Sequence, residues 1–258
     1  MKKEFIIAGN WKMHHTASES IEFFKALDGK IAEHPELARE KRIEILIFPS
    51  FISLYPLKGI SQKIKTGAQD IFFEEKGAFT GEISPLMLQG LVTYVLIGHS
   101  ERRHVFGEID SDLNKKVKTA FKFGFSPMLC IGETLVEREA GKTFDLIKEQ
   151  LDKGLEGLSA EEIAAVAIAY EPVWAIGTGK TASPDQAREV HSFIRELLKE
   201  KTPAFRDIPL LYGGSVKPGN SFEILSQKDI NGVLVGGASL KVEPFFDIIQ
   251  SSYKIVAK

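Results

Sequence analysis

Five side chains that are able to move protons or stabilise charge follow short apolar segments: Glu171, His99, Lys12, Asn10 and Glu101. A carboxylate at the edge of an apolar strand can have its pKa raised by desolvation, which suits a general base that acts on a carbon acid near neutral pH. Glu171 has this position. Taken alone, it is better explained as a surface glutamate at a strand end, so its interpretation as a base depends on which residues it meets.

His99 and Lys12 suit the stabilisation of the negative charge that develops when such a proton is removed. His99 precedes a segment with the character of a helix start, where the helix dipole disfavours imidazolium, so we expect a neutral ring that donates to a carbonyl oxygen. Lys12 is costly inside a cavity unless it meets an anion such as a phosphate or a developing enediolate, and Asn10 is placed to orient either Lys12 or the substrate by hydrogen bonds. The alternatives are a histidine satisfied by local backbone and a surface lysine packed on Trp11.

Glycine-rich turns at 213–215 and 236–237 follow the last two apolar runs of the chain. Backbone N–H groups approach a phosphate closely only where side chains do not intrude, so these turns predict a phosphate site if they lie together. Either turn alone is equally an ordinary strand–helix connection.

Residues 172–181, PVWAIGTGKT, have the composition of a lid. Pro172 stiffens one end, glycines loosen the other, and the tip is apolar. A P-loop is excluded because its first glycine would fall on Trp174. A dinucleotide fingerprint through Gly177, Gly179 and Ala182 is equally unsuitable, since it does not follow a first strand.

Eight short runs of apolar and β-branched residues recur along the chain, most of them continuous rather than alternating, which is typical of strands covered on both faces. They are residues 5–8, 43–48, 64–68, 94–97, 128–131, 166–170, 210–212 and 233–235. Helical patterns lie between them. The clearest begins after Ser183, with Pro184 and Gln186 completing a capping signal.

This alternation predicts an α/β fold, a (β/α)8 barrel of eight parallel strands, formed by residues 1–258 as a single domain. A doubly wound open sheet is the alternative from the pattern alone. In such a barrel the functional site lies at the C-terminal ends of the strands, and each residue considered above follows one of those ends.

Charge and cysteine content narrow the class of protein. The 33 basic residues against 35 acidic ones do not suit a nucleic-acid binder, and no apolar segment is long enough for a membrane span or a secretory signal. The single cysteine, Cys130, fits a reducing, cytoplasmic location. The six histidines show no metal-ligand spacing, so we predict neither a metal nor an organic cofactor.

Several long motifs resemble the triosephosphate isomerases, in the same order and over nearly the whole chain. They are residues 10–13 (NWKM), 77–85 (GAFTGEISP), 98–107 (GHSERRHVFG), 170–181 (YEPVWAIGTGKT), 212–215 (YGGS) and 236–240 (GGASL). The resemblance implies a TIM barrel that interconverts dihydroxyacetone phosphate and glyceraldehyde 3-phosphate in glycolysis and gluconeogenesis. It implies a small phosphorylated triose as the substrate, with no cofactor.

The resemblance also implies a role for each site residue. Glu171 would take the proton beside the carbonyl, His99 would polarise that carbonyl, and Lys12, with Asn10 beside it and Glu101 as its partner, would stabilise negative charge. The phosphate ligands would be the amides of Gly177, Ser215, Gly236 and Gly237, together with Asn10 and Lys12. Closure of the lid, for which this family is the standard example, would exclude water.

The family is usually dimeric, and the apolar loop around Thr80 implies a homodimer in which this loop reaches the neighbouring subunit. The sequence departs from the family pattern at His14 and Asp70. The segment of residues 31–42 is also longer than the family pattern. Two other functions remain open: an isomerase of another sugar phosphate, and a barrel that binds phosphorylated ligands without catalysis.

Overall fold

The structure, a computed structural model, describes residues 4–176 and 182–257. Within these ranges eight parallel strands pair in chain order, and the last pairs with the first to close a barrel. The strands are β1 (Phe5–Asn10), β2 (Ile43–Phe48), β3 (Ile64–Ala68), β4 (Tyr94–Ile97), β5 (Ser126–Ile131), β6 (Ala167–Tyr170), β7 (Leu210–Tyr212) and β8 (Gly232–Val235). The predicted (β/α)8 barrel is confirmed, and the open sheet is excluded.

Helices surround the barrel and connect consecutive strands. They are α1 (Ala17–Ala32), α2 (Pro35–Arg39), α3 (Phe51–Leu57), α4 (Pro85–Leu88), α5 (Ser100–His104), α6 (Asp110–Lys122), α7 (Leu135–Glu139), α8 (Thr143–Gly154), α9 (Ala160–Ala164), α10 (Pro184–Lys199), α11 (Pro218–Leu225) and α12 (Val242–Val256). The predicted cap of α10 forms as expected, because Ser183 accepts a hydrogen bond from the amide of Gln186 at 3.2 Å. The extended segment 31–42 contains the short helix α2.

The strands are buried on both faces, which explains their continuous apolar runs. In β1, Phe5 and Ile7 pack outward with the helices, whereas Ile6 and Ala8 belong to a separate cluster inside the barrel. Cys130 lies in that inner cluster, fully buried, and burial raises the pKa of its thiol. A packed thiol, rather than a nucleophile, is therefore what the barrel interior contains at this position.

Arg195 on α10 joins the segments that precede β7 and β8, two neighbouring strands that share a single register pair. Its guanidinium donates to the carbonyl of Ile208 at 2.8 Å and to Oδ1 of Asn231 at 2.7 Å. The carboxylate of Asp229 lies farther away, at 3.9 Å. Burial lowers the pKa of Arg195, because a desolvated guanidinium with mainly neutral acceptors is incompletely compensated.

We therefore expect Asn231→Asp to stabilise the protein. A charged acceptor makes a stronger hydrogen bond than an amide, so the free energy of unfolding at pH 7 should rise by about 1 kcal/mol and Tm by roughly 2–4 °C. Calorimetry at pH 7 measures this gain, which should disappear below about pH 4, where the new carboxyl is protonated. An unchanged or lower Tm at pH 7 would mean that desolvation outweighs the pairing.

None of the helices in residues 4–176 and 182–257 has the length and apolar character needed to cross a bilayer.

Candidate active site

The side chains singled out in the sequence meet at the C-terminal ends of the strands, which we call the rim. A cavity of about 630 Å³ opens there. It is lined, among others, by Asn10, Lys12, His99, Glu171, Ser215, Gly236 and Gly237. Glu101 lies behind this wall and reaches it through Lys12. Gly177 and the second half of the lid, residues 177–181, lie outside the described residues.

Glu171 follows β6 and is almost completely buried, with 2% of its surface exposed. Its Oε2 accepts a hydrogen bond from the amide of Ser100 at 2.9 Å, and its Oε1 lies 3.1 Å from Nε2 of His99. Its own amide donates to the carbonyl of Ile131 at 2.8 Å. The carboxylate is therefore held in a dry position by donors at the start of α5.

His99 is the residue that caps α5. Its Nδ1 accepts a hydrogen bond from the amide of Glu101 at 3.3 Å, so this nitrogen acts as an acceptor. In a neutral ring the proton then sits on Nε2, which points at Glu171 and lines the cavity. The sequence predicted a neutral histidine that donates toward the substrate, and this hydrogen-bond pattern assigns the donating nitrogen.

Lys12 has an unusual backbone for a lysine, with φ of 52°. Left-handed backbone costs a residue with a side chain roughly 1–2 kcal/mol, so it persists only where neighbours determine it strongly. Here Oδ1 of Asn10 accepts from the Lys12 amide at 3.0 Å, and Nε2 of Gln69 donates to the Lys12 carbonyl at 2.8 Å. At the tip, Nζ lies 2.6 Å from Oε1 of Glu101.

The Lys12–Glu101 pair is partly exposed, with 27% and 43% of the two side chains accessible. An ion pair of this exposure contributes about 0–1 kcal/mol to stability. Its effect is to direct the ammonium group rather than to hold the fold. The sequence assigned no role to Gln69. Its position directly after the run of residues 64–68 places it among the residues expected at the rim.

The two predicted glycine turns differ in why they contain glycine. A Cβ at Gly213 would lie 2.8 Å from Cγ of Glu171, and one at Gly214 would lie 2.2 Å from the Tyr212 hydroxyl, so packing excludes side chains there. A Cβ at Gly237 would meet nothing within 4 Å among the described residues, and one at Gly236 would approach only Cε of Lys12, at 3.9 Å. Both turns line the cavity, but only at the second is the Cβ position unobstructed among the described residues.

Glu133 anchors the first half of the predicted lid, a role that the sequence did not indicate. It is fully buried and accepts hydrogen bonds from Trp174 Nε1 at 3.0 Å, Tyr170 at 3.2 Å and Arg138 at 2.9 Å. Its carbonyl also accepts from the amide of Val173 at 3.0 Å. This one side chain thereby connects β6 to the lid.

Four charged side chains form a cluster behind the rim, in which Asp70 and Lys116 are buried and Arg102 and Glu108 are partly exposed. Lys116 Nζ donates to both carboxylate oxygens of Asp70, at 2.7 and 2.9 Å, and also pairs with Glu108. Arg102 Nε lies 3.0 Å from Asp70 and 2.7 Å from Glu108. Burial raises the pKa of Asp70 from 3.8 to about 6, against the opposing effect of Lys116. Asp70 is one of the departures from the family pattern.

This pKa shift predicts a pH dependence of stability. Between pH 3.8 and about 6 the native state binds the Asp70 proton while the unfolded chain has lost it. The contribution of this group to the free energy of unfolding therefore falls as the pH rises through that window, by about 3 kcal/mol. We expect the stability of Asp70→Asn minus that of wild type to grow by this amount between pH 4 and 7, in urea denaturation at fixed protein concentration. A difference that does not change with pH would contradict it.

In residues 4–176 and 182–257, no group of three or more histidine, cysteine, aspartate or glutamate side chains could hold a metal ion.

Comparisons with known proteins identify close relatives. A family model described as triosephosphate isomerase matches residues 5–252. The triosephosphate isomerase of Carboxydothermus hydrogenoformans is 48% identical over 257 residues, covering 98% of this chain and all of the relative. Those of Dictyoglomus thermophilum and Endomicrobium trichonymphae are 48% and 47% identical, over 95% and 96% of this chain and 98% of each relative.

Proposed function

The chain belongs to the triosephosphate isomerase family, and we propose that it interconverts dihydroxyacetone phosphate and D-glyceraldehyde 3-phosphate by acid–base proton transfer through an enediolate. The observation that carries this proposal is the pairing of a buried carboxylate with a histidine donor. Oε1 of Glu171 and Nε2 of His99 lie 3.1 Å apart in one wall of the cavity that Lys12 also lines.

Each proton has a group to carry it. Glu171 takes a proton from C1 of dihydroxyacetone phosphate, and the electron pair of that C–H bond moves through C2 to the carbonyl oxygen. Nε2 of His99 donates to this oxygen, and the imidazole recovers a proton from the hydroxyl on C1. Glu171 then returns its proton to C2, which produces the aldehyde. The carboxylate must exchange its hydrogen bond to the Ser100 amide for the substrate before the first step.

Lys12 and the amides of the phosphate site support the charges of substrate and intermediate. Lys12 Nζ, directed by Glu101, stabilises the enediolate oxygen and the phosphate. The phosphate binds to the amides of Gly236 and Gly237, where no Cβ intrudes, with Ser215 on the neighbouring turn and Gly177 from the lid. Asn10 holds the Lys12 backbone in the orientation that this requires.

A coupled assay on D-glyceraldehyde 3-phosphate tests the activity. We expect turnover that is specific for the triose, with tetrose and pentose phosphates converted far more slowly. Preferential turnover of a longer sugar phosphate would favour the isomerase of another substrate. Tight binding of phosphorylated ligands by the folded protein without any turnover would instead favour the non-catalytic barrel.

We also propose that the protein acts as one domain of residues 1–258, in the cytoplasm, and forms a homodimer. A second cavity of about 590 Å³ adjoins the active-site cavity and is bordered by Met13 and Phe106, which are 95% and 68% exposed. The apolar loop around Thr80 presents Phe79, 44% exposed and packed on Phe72. We expect its counterpart from a second subunit to occupy this cavity, because burying these side chains removes apolar surface from water.

The dimer predicts a mass of twice the 28.6 kDa chain in light scattering at low micromolar concentration. Phe79→Glu should shift the mass toward that of a single chain, because it buries a charge in an apolar pocket. A matched charge at the exposed Phe222 on α11, introduced as Phe222→Glu, should leave the mass unchanged. A wild-type protein of single-chain mass would refute the dimer.

A further inference from the structure

At its C-terminal end, β5 keeps its hydrogen-bonded pairing with the β6 side after its pairing with β4 has stopped. On the β6 side the pairing continues, because the amide of Glu171 donates to the carbonyl of Ile131 at 2.8 Å. On the other side the register between β4 and β5 ends at Ile97 and Leu129, and the chain turns into α5. The peptide groups of Gly132 are therefore beyond the reach of the β4 ladder.

Gln150 on α8 takes the place of that missing strand. Its Oε1 accepts a hydrogen bond from the amide of Gly132 at 2.8 Å, and its Nε2 donates to the carbonyl of Gly132 at 3.2 Å. The side chain is buried, with 6% exposed. A carboxamide carries a donor and an acceptor side by side, as a peptide group does, so it completes both hydrogen bonds of a buried main-chain segment.

Gly132 in turn is in direct contact with the main chain of Glu171. A Cβ at Gly132 would lie 1.7 Å from the carbonyl oxygen of Glu171 and 2.6 Å from its carbonyl carbon. The next residue, Glu133, accepts from the amide of Val173 at 3.0 Å. Because packed backbone transmits displacement, a shift of Gly132 moves the segment that carries Glu171.

We propose that Gln150 is a positioning residue for the isomerase reaction, which holds Gly132 so that the main chain of Glu171 keeps the position from which its carboxylate reaches the substrate. This inference rests on the proposed function, since it assigns Glu171 as the base. The phosphate site is on other strands, after β7 and β8, so a displaced base should affect the chemical step and leave substrate binding nearly unchanged.

The first test is Gln150→Met, which keeps an unbranched side chain of similar length and removes both hydrogen bonds. We expect kcat to fall on the order of 10- to 100-fold, as a displacement approaching 1 Å implies, with KM within about twofold of wild type. Assays run far below the Tm of each variant, so that a loss of stability alone does not lower kcat.

The matched control is Asn114→Leu on α6. Asn114 is likewise a buried carboxamide, and it donates to the carbonyls of Gly154 and Glu156 at 3.1 and 3.0 Å, away from Glu171. It should lower Tm but keep kcat within about threefold of wild type. Equal kcat losses in the two variants would overturn the inference, because loosening of the fold would then explain both.

A double-mutant cycle provides the second readout. If Gln150 acts through Glu171, Gln150→Met should cost roughly threefold or less once Glu171→Asp has already misplaced the base. Independent, multiplying losses would overturn the inference. Should Gln150→Met fail to fold, Gln150→Glu, which retains the acceptor for the Gly132 amide, enters the same cycle. Absent turnover by wild type refutes the proposed function and this inference together, whereas wild-type turnover with an unaffected Gln150→Met refutes this inference alone.

Discussion

Glu171→Asp is expected to fold normally and to lose about 10²-fold in kcat, because the carboxylate retreats by about 1 Å from the carbon whose proton it takes. The shorter side chain also withdraws from the amide of Ser100, now 2.9 Å away, and from Nε2 of His99, at 3.1 Å. Steady-state kinetics in both directions measure the loss, which should fall on kcat rather than on KM.

A matched control for this change is Glu137→Asp. Glu137 completes the capping box of α7, on the loop after β5, and accepts from the amide of Thr134 at 2.7 Å. The same shortening at that site should leave kcat within about twofold. Wild-type turnover by Glu171→Asp would require another group as the base, and the assignment of Glu171 would have to be abandoned.

Lys12→Met should reduce kcat/KM on the order of 10²- to 10³-fold, the range seen when a positioned group that stabilises transition-state charge is removed. The change deletes the ammonium and keeps most of the apolar stem. It also leaves the Glu101 carboxylate without the partner now 2.6 Å away, so the local charge becomes unfavourable for an anionic substrate. Both kcat and KM should change, because the phosphate and the enediolate each carry negative charge.

Lys217→Met provides the comparison for Lys12→Met. Lys217 is exposed at the edge of the same cavity, and its removal changes the net charge by the same amount. At an ionic strength of about 0.1 M, where the Debye length is about 10 Å, screening should limit its effect to less than about threefold. Comparable losses in the two variants would show that long-range attraction, rather than contact at the reacting atoms, explains the contribution of Lys12.

The backbone of Lys12 shows how residues at the rim fix the position of its ammonium group. Its left-handed conformation, with φ of 52°, is stabilised by Asn10 at the end of β1 and by Gln69 directly after β3. Glu101, after β4, then directs the ammonium group. Three strand ends therefore fix one cation, and this arrangement tolerates strain because several neighbours determine it together.

Much of the fold followed from the sequence because its causes are local. Strands buried on both faces are largely apolar, so the eight runs identified the barrel strands. The cap of α10 depends on Ser183 and Gln186, three residues apart, and it formed as predicted. The assembly of the rim also followed, since parallel strands in a closed barrel end on the same side.

The tertiary structure alone decided which atoms meet. Gln150 reaches Gly132, and Gln69 reaches the carbonyl of Lys12, across separations of 18 and 57 residues. No periodicity or spacing encodes these contacts, because they depend on the stagger of neighbouring strands and on how each helix packs against the barrel.

The roles of the glycines and the position of the base were likewise decided by tertiary contacts rather than by local sequence. Gly132 and Gly213 lack side chains because the Glu171 segment occupies that space, whereas Gly237 lacks one beside an open cavity. In the sequence all three are simply glycines after strands. The sequence by itself determined that a carboxylate ends β6 at the rim. Only the packing of β5, α5 and α8 around it decided where that carboxylate rests, because short-range contacts between distant segments exist only once the barrel has closed.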